Sequence, residues 1–460
     1  GLKKVFVLRV PALEVAKPAS GDALQIHVEG ALKTSGIEDL ASVKSPEFPF
    51  RGTMHLKGFS PLVGTGSASV GPAPVADLQA VITSFLPGSA GKIECQEGTA
   101  EAGVVFSSMT QGPPTGKAWS KLRGVNLLFP ATQLRMRGVS GDLEGTTAGP
   151  PANLKIEGSA KFPSGQIVAP ISATNKSAYA FPFQNLSAIF RFADGTFAIT
   201  DARTNVFGGT LKGNGTIDSR QTPVRFDMRV TGEALRTEAF LAENTSQKQV
   251  VSGPVNGMLQ AAGDVSGLAS WNGQGSMSMK DGKYQAPPVV TPLLSAVNLS
   301  QFASGDLTSA NGTFVLKNGI LTTNDLIFLS TIGKMNYQGD VGLDTTLNGN
   351  MNLIFSKAAV DQSPTLKQIS LDGTSVSIPT KVRGTLLAPS FPGFSSGKLL
   401  ELGLKRTGQK ILLDILSGKS KTPAPPPPGT PVASEPVKAA DSPEKNLKKL
   451  GKDLKKLFKF

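Results

Sequence analysis

His27, His55 and Cys95 are the side chains of this chain best suited to metal or nucleophilic chemistry, and their spacing supports neither. A metal site needs three or four converging ligands, and neither histidine has a Cys, Asp or second His at ligand spacing. Both fall on the polar side of strand-like alternation, which makes them surface residues. Cys95 follows Glu94, and no nearby basic group or helix start would lower its pKa, so it is an inert thiol. The glycine-rich run Gly213-Asn214-Gly215-Thr216-Ile217-Asp218 lacks the third glycine of a dinucleotide fingerprint, and no Lys-Ser or Lys-Thr stands at phosphate-loop spacing. Among 34 acidic residues no carboxylate pair is singled out for glycan chemistry. The expectation is a protein that is not an enzyme, with no cofactor and no metal.

Hairpin signals dominate instead. Nine Asn-Gly or Asp-Gly pairs fall between Asp194 and Gly373, and none occurs elsewhere. A two-residue type I′ turn needs positive φ at both central positions, which Gly adopts freely and Asn or Asp tolerates. Each pair is therefore expected to be a hairpin turn: 194–195, 214–215, 256–257, 272–273, 281–282, 311–312, 318–319, 348–349 and 372–373. Between them the residues alternate. Phe190 and Phe192 flank Arg191, then Phe197 and Ile199 follow Asp194-Gly195 as a hairpin. Val224, Phe226, Met228 and Val230 alternate with Arg225, Asp227 and Arg229, and Met351, Leu353 and Phe355 line up likewise. Shorter alternating pieces at 24–29, 54–57, 134–137 and 154–157 extend the pattern toward the N-terminus. Val75 to Phe85 reads as a short helix, and Pro287 to Val297 as the one interruption of the later strands, by a loop and a short helix.

Composition says what such a sheet could face. Of 29 aromatics 24 are Phe, so the ring surface almost wholly lacks the hydroxyl or indole donors of a wet interface. Five Tyr and Trp residues in 460 are too few for the girdles of an outer-membrane barrel. The net charge of +13 is a tail property, since residues 397–460 hold 14 Lys and Arg against six Asp and Glu. No basic, aromatic-interleaved face is visible, which excludes nucleic acid as a partner. No apolar run approaches the roughly 18 residues of a membrane span. The chain starts at Gly1 with a strand-like run, and the expectation is an anchor or signal upstream.

Beyond Pro392 the character changes. Leu399 to Leu416 suggest one or two short helices, and Pro423 to Pro436 an extended spacer. Leu447, Leu450, Leu454, Leu457 and Phe458 then form an apolar stripe, with Lys448, Lys449, Lys452, Lys455 and Lys456 among the lysines around it. A basic amphipathic helix of this kind binds an anionic membrane surface or docks on a partner.

Several elements of the second half, in order, resemble AsmA-like proteins. They are Phe207-Gly208-Gly209-Thr210-Leu211-Lys212 running to Asp218, and Lys280-Asp281-Gly282-Lys283-Tyr284 followed by Val289 to Val297. Leu316 to Leu321 with Gly339 to Leu343 comes next, and Ile378 to Leu386 with Pro389 closes the series. The resemblance covers roughly residues 150–395. It implies an elongated, taco-like antiparallel β-groove related to bridge-like lipid-transfer proteins of the bacterial envelope, periplasmic and held at the inner membrane by an upstream segment. Its implied role is in outer-membrane lipid or protein homeostasis. Its occupant would be phospholipid or another acyl-chain lipid, with envelope proteins as further partners.

The organisation expected is therefore mainly β. A groove spans 1–150 and 151–395, followed by a helical segment at 396–421, a Pro-rich linker at 422–441 and the basic helix at 442–460. The apolar strand residues 190, 192, 197, 199, 224, 226, 228, 230, 351, 353 and 355 are the expected lipid-facing surface. The alternative is a structural or interaction protein with a closed β core and a partner-docking C-terminal helix.

Overall fold

The computed structural model divides the chain into two units, Gly1–Lys410 and Ile411–Phe460. It describes residues 4–16, 24–36, 47–59, 62–79, 94–109, 115–130, 133–148, 155–170, 178–221, 223–245, 251–264, 270–286, 291, 294, 299–370, 373–385 and 388–392, all in the first unit. The helices expected after residue 396, the Pro-rich spacer and the lysine-rich stripe lie outside the described residues.

The first unit is one open antiparallel sheet in which strands follow chain order. The first strand, Lys4–Ala16, pairs with Leu24–Gly36, that with Glu47–Phe59, and each later strand with the next as far as Val376–Thr385 and the short Pro389–Ser390. The one irregularity is Val251–Ser252, which pairs only with Asn272–Gln285 beside the longer Pro254–Asp264. The sheet crosses residue 150 without a break, because Leu134–Ala148 pairs with Lys155–Pro170 over most of its length. It does not close into a barrel.

Of the eight Asx-Gly pairs that lie wholly within the described residues, two are hairpin turns. Asp194-Gly195 and Asn318-Gly319 have both φ angles positive (49° and 73°, 52° and 75°) and join adjacent strands. A third such turn is Phe207-Gly208, with φ of 49° and 74°. Five pairs, at 214, 256, 272, 311 and 348, lie inside strands without positive φ at either residue. Asp281, at φ 56°, marks a bulge within Asn272–Gln285, and Gly373 belongs to a bend between a helix and a strand. Alternation explains the mid-strand pairs. At Asn214-Gly215 the amide stands opposite Arg229 on one face and the glycine opposite Met228 on the other. A Cβ on Gly215 would meet the Asp227 carbonyl at 2.5 Å. The glycine is there for close packing between strands, and the turn signal was a coincidence of residue types.

Bulges recur at corresponding places in successive strands. Register shifts fall between Val70 and Ala73, Glu97 and Thr99, Leu122 and Val125, Arg137 and Ser140, Arg203 and Asn205, and Gly232 and Leu235. Left-handed residues occupy several of them: Gly71, Gly98, Gly124, Gly138 and Ala234. The backbone N–H groups freed there are met by side chains. The Asn126 Oδ1 accepts from Gly138 N (2.7 Å), Ser140 Oγ from Gly124 N (2.9 Å), and Asn256 Oδ1 from Ala234 N (2.8 Å). A bulge bends its strand and increases its twist, so a line of them creases the sheet lengthwise.

On one side of the crease the concave face is closed by helices and core clusters. Residues 75–79 form a helical turn whose Val75 and Leu78 pack with Phe48, Ala73, Ala100 and Val125. The helix Thr237–Asn244 lays Phe240 against Tyr179, Phe181 and Phe207 at centroid distances of 5.4–6.2 Å. Its Asn244 is clamped to Ala180, accepting from the backbone N (2.6 Å) and donating to the carbonyl (3.1 Å). Lys357–Gln362 and Pro364–Ile369 seal the far end by burying Val360, Leu366 and Ile369 with Phe302, Phe355 and Val376. Within the expected interruption after Pro287, Thr291 and Leu294 are helical, and Leu294 is buried in that same cluster. The helices at 237–244 and 357–369 were not expected from the sequence.

Ser363 is fully buried, and its Oγ accepts from Leu366 N at 3.3 Å as the cap of the second helix. Ser363→Ala removes the one acceptor of that N–H and is expected to lower stability by about 1 kcal/mol, read from the shift in denaturant midpoint. Ser363→Thr, which keeps a hydroxyl acceptor without adding charge, is the comparison that separates capping from packing.

Candidate functional site: a transverse apolar row

On the other side of the crease the same face carries an unbroken apolar row running perpendicular to the strands. From the first strand it passes Leu13, Val28, Gly52, Ala68, Val104, Ala118, Gly145 and Gly158, each paired with the next. It continues through Phe190, Ile199, Gly215, Met228, Ala261, Gly273, Leu316, Leu321, Val341 and Leu347 to Gly384. None of these nineteen residues has a polar atom in its side chain. At about 4.8 Å per strand, the row traces roughly 86 Å along the sheet.

Two flanking rows widen it. One runs Val15, Ile26, Met54, Gly66, Phe106, Gly116, Thr147, Ile156, Phe192, Phe197, Ile217, Phe226 and Gly263, with Thr147 its single polar member. The other, toward the crease, includes Phe50, Val70, Ala102, Leu143, Ala160, Ala188, Ala202, Val230, Leu259 and Phe314, with Ser120 its one hydroxyl. Large residues and glycines are interspersed across strands. The Phe314 ring covers Gly275, whose added Cβ would stand 2.3 Å from it, and Phe190 stacks on Phe197 at 5.5 Å. Glycines here keep the trough smooth while aromatics supply its area.

The convex face carries ion pairs, beside a few exposed apolar side chains at Val105, Ile189, Val315 and Ile320. Glu29 meets Arg51, Glu157 meets Arg191 and Lys212 meets Glu233, all exposed. Such pairs stabilise little but mark a solvated surface. Near the Asp194-Gly195 turn the Arg220 guanidinium holds the Asp218 carboxyl down at about 2.

The expected lipid-facing residues are brought together as far as Val230. Phe192 stands opposite Phe197 and Phe190 opposite Ile199, while Phe226 and Met228 continue the same rows and Val224 sits just before its strand. All are half-buried, with their charged neighbours Arg225, Asp227 and Arg229 exposed. Met351, Leu353 and Phe355 belong to a different part of the concave face. They line a cavity of about 410 Å³ where the row ends. Phe355 is 8% exposed and packs in the helix-sealed cluster, so it is a core residue before it is a groove residue. Ahead of Phe190 the sequence marks only short alternating pieces, among them Ile26, Val28, Met54 and Ile156, because the long strands there change phase at their bulges.

The residues that first suggested chemistry stay apart. His55 is exposed, His27 is half-buried on the polar face opposite Thr53, and partial burial pushes the Cys95 thiol up, away from the thiolate. Among the described residues no cluster of His, Cys, Asp or Glu could hold a metal, and no helix is long and apolar enough to cross a membrane.

The class these features define is a long, open antiparallel β-sheet creased into a trough with an apolar lining. No family model matches the sequence, and no curated protein matches it.

Proposed function

We propose that the protein binds acyl-chain lipid along the trough and passes it lengthwise, without catalysing a reaction. The observation that carries this reading is the row from Leu13 to Gly384, which crosses the sheet without one polar side chain. Its exposure supports the same conclusion. Leu13 in the row is 61% exposed, and Val15 and Ile217 in the row beside it are 56% and 40% exposed, while Ala261 and Leu316 farther along are buried; apolar surface left open at the exposed positions invites an apolar cover. Hydrocarbon is the natural cover, since each methylene removed from water contributes about 0.8 kcal/mol. A row without polar side chains holds a tail at no particular depth, which suits sliding better than fixed binding. Lipid headgroups would remain in water at the open side.

The setting proposed is the bacterial envelope, in the periplasm beside the inner membrane, with phospholipid as the cargo, as the resemblance to AsmA-like proteins implies. Lipid or protein homeostasis of the outer membrane is the corresponding role. The lysine-rich segment at 442–460, which the sequence leads one to expect as an amphipathic helix, is proposed as the contact with an anionic membrane surface. Removing residues 443–460 should abolish binding to anionic vesicles; unchanged binding would assign that segment to a protein partner. For the groove, solvent extraction of the purified chain followed by mass spectrometry should return phospholipid in stoichiometric amounts. Consistently lipid-free protein would overturn the proposal in favour of a structural role.

A further inference from the structure

The apolar row does not simply run off the end of the sheet. Val341 and Leu347, two of its last members, also line the cavity of about 410 Å³. The far wall of that cavity is closed, because Leu294, Phe302 and Phe355 are shared between its lining and the helix-sealed core.

Its hydroxyls are all turned away from the interior. Tyr337 Oη donates to the Asp340 carbonyl at 2.9 Å and Tyr284 Oη to the Phe302 carbonyl at 3.4 Å. Ser330 Oγ donates to the Gly333 carbonyl at 3.2 Å and Thr380 Oγ1 to the Lys381 carbonyl at 3.4 Å. An interior whose hydroxyls are spent on backbone offers little to a headgroup, a sugar or a nucleotide; the other polar side chains on its lining are Gln285, which is exposed, and Lys334, which is half-buried. Most of the remaining lining is the apolar surface of residues such as Leu326, Phe328, Met335, Met351, Leu353 and Val382. The volume lies at the low end of the roughly 300–1,000 Å³ typical of small-ligand sites.

We infer that this cavity is a blind terminal site for a single hydrocarbon tail, which enters from the apolar row end first and leaves its polar head outside. The inference rests on the proposed lipid reading and adds a stop to it: a place where one tail is held rather than passed on. The tail's source is either a free long-chain fatty acid or one chain of a diacyl phospholipid, and the chemistry of the cavity is the same for both.

The test uses the full chain with two photoreactive probes, each with a diazirine at the tail terminus: a long-chain fatty acid, and a diacyl phosphatidylglycerol presented in vesicles. After illumination the adducts are mapped by peptide mass spectrometry. Saturable labelling of residues 326–335 or 351–355 is expected from at least one probe, and which probe labels identifies the source. Met351→Trp, which fills the cavity with an indole, should cut that labelling about tenfold while leaving the labelling of residues 190–230 in place. Val382→Phe fills it from the neighbouring strand and serves if the first variant does not fold. Labelling of 190–230 alone, or cavity labelling that neither filled variant reduces, would overturn the terminal site while sparing the groove. No labelling on the concave face by either probe would overturn both.

Discussion

Met228→Asp will strip the trough of lipid beyond the middle of the sheet. Met228 sits near the centre of the row, between Gly215 and Ala261, and its two cross-strand neighbours are too small to shield a charge placed there. An ionised carboxylate against hydrocarbon costs several kcal/mol, and the tail has no path around it that avoids the same face. The expected result is a drop of at least about tenfold in lipid recovered from the purified variant. The fold should survive, because Met228 is half-buried and belongs to none of the core clusters. Arg229→Asp, one residue along on the convex face, should leave lipid content unchanged. Equal lipid in all three proteins would mean that the row does not carry the cargo.

Gly98→Val is expected to be the most destabilising single change in the N-terminal half. Gly98 occupies the bulge between Glu97 and Thr99 with φ +96°, and a Cβ built on it meets the Gly124 carbonyl oxygen and the Val125 Cα, each at 2.6 Å. Both obstacles are backbone, so no side-chain rotation relieves them. The change combines a backbone conformation costing about 1–3 kcal/mol for a non-glycine residue with displacement of the adjacent strand. Val125 and Ala100, in the cluster beneath the crease, would move with it. A loss of about 3–5 kcal/mol is expected, seen as faster hydrogen exchange across Glu94–Met109 and Thr115–Phe129. Gly124→Ala provides the contrast. Gly124 also has positive φ (+60°), but nothing lies within 4 Å of its added Cβ, so the cost should be only about 1–2 kcal/mol. Similar losses for both would mean that φ strain alone, and not the close approach at the crease, sets the cost.

How far this fold can be read from its sequence depends on whether period-two alternation survives. In the first half of Arg225–Arg236, ahead of its bulge, it does: Phe226, Met228 and Val230 face the trough, Arg225, Asp227 and Arg229 face water, and the sequence states as much. In Thr115–Phe129 it does not. Leu122 and Val125 face the same side three residues apart because a bulge lies between them, and a strand that changes phase looks patternless to a period-two reading. The crease that shapes the trough is thus also what hid much of its N-terminal third.

The Asx-Gly pairs mislead for a different reason. Gly tolerates both positive φ and close strand approach, and sequence does not distinguish the two uses. At Asp194-Gly195 it serves the first, at Asn214-Gly215 the second. Even so, the region they marked is strand-rich, so the sheet was located by a signal whose meaning was mostly different. The helix Thr237–Asn244 was illegible because it has no capping side chain at its start and no apolar stripe. It is held from outside, by Phe240 among three rings and by Asn244 on Ala180, contacts that depend on strands far away in the chain.

On the proposed reading the concave face, and not the convex one, touches lipid. A photoreactive benzophenone residue placed in turn at Phe226, Asp227, Met228, Arg229 and Val230, illuminated before purification, tests it directly. Strand alternation predicts lipid adducts at 226, 228 and 230 and none at 227 or 229. Adducts at all five positions, or at none, would contradict the account.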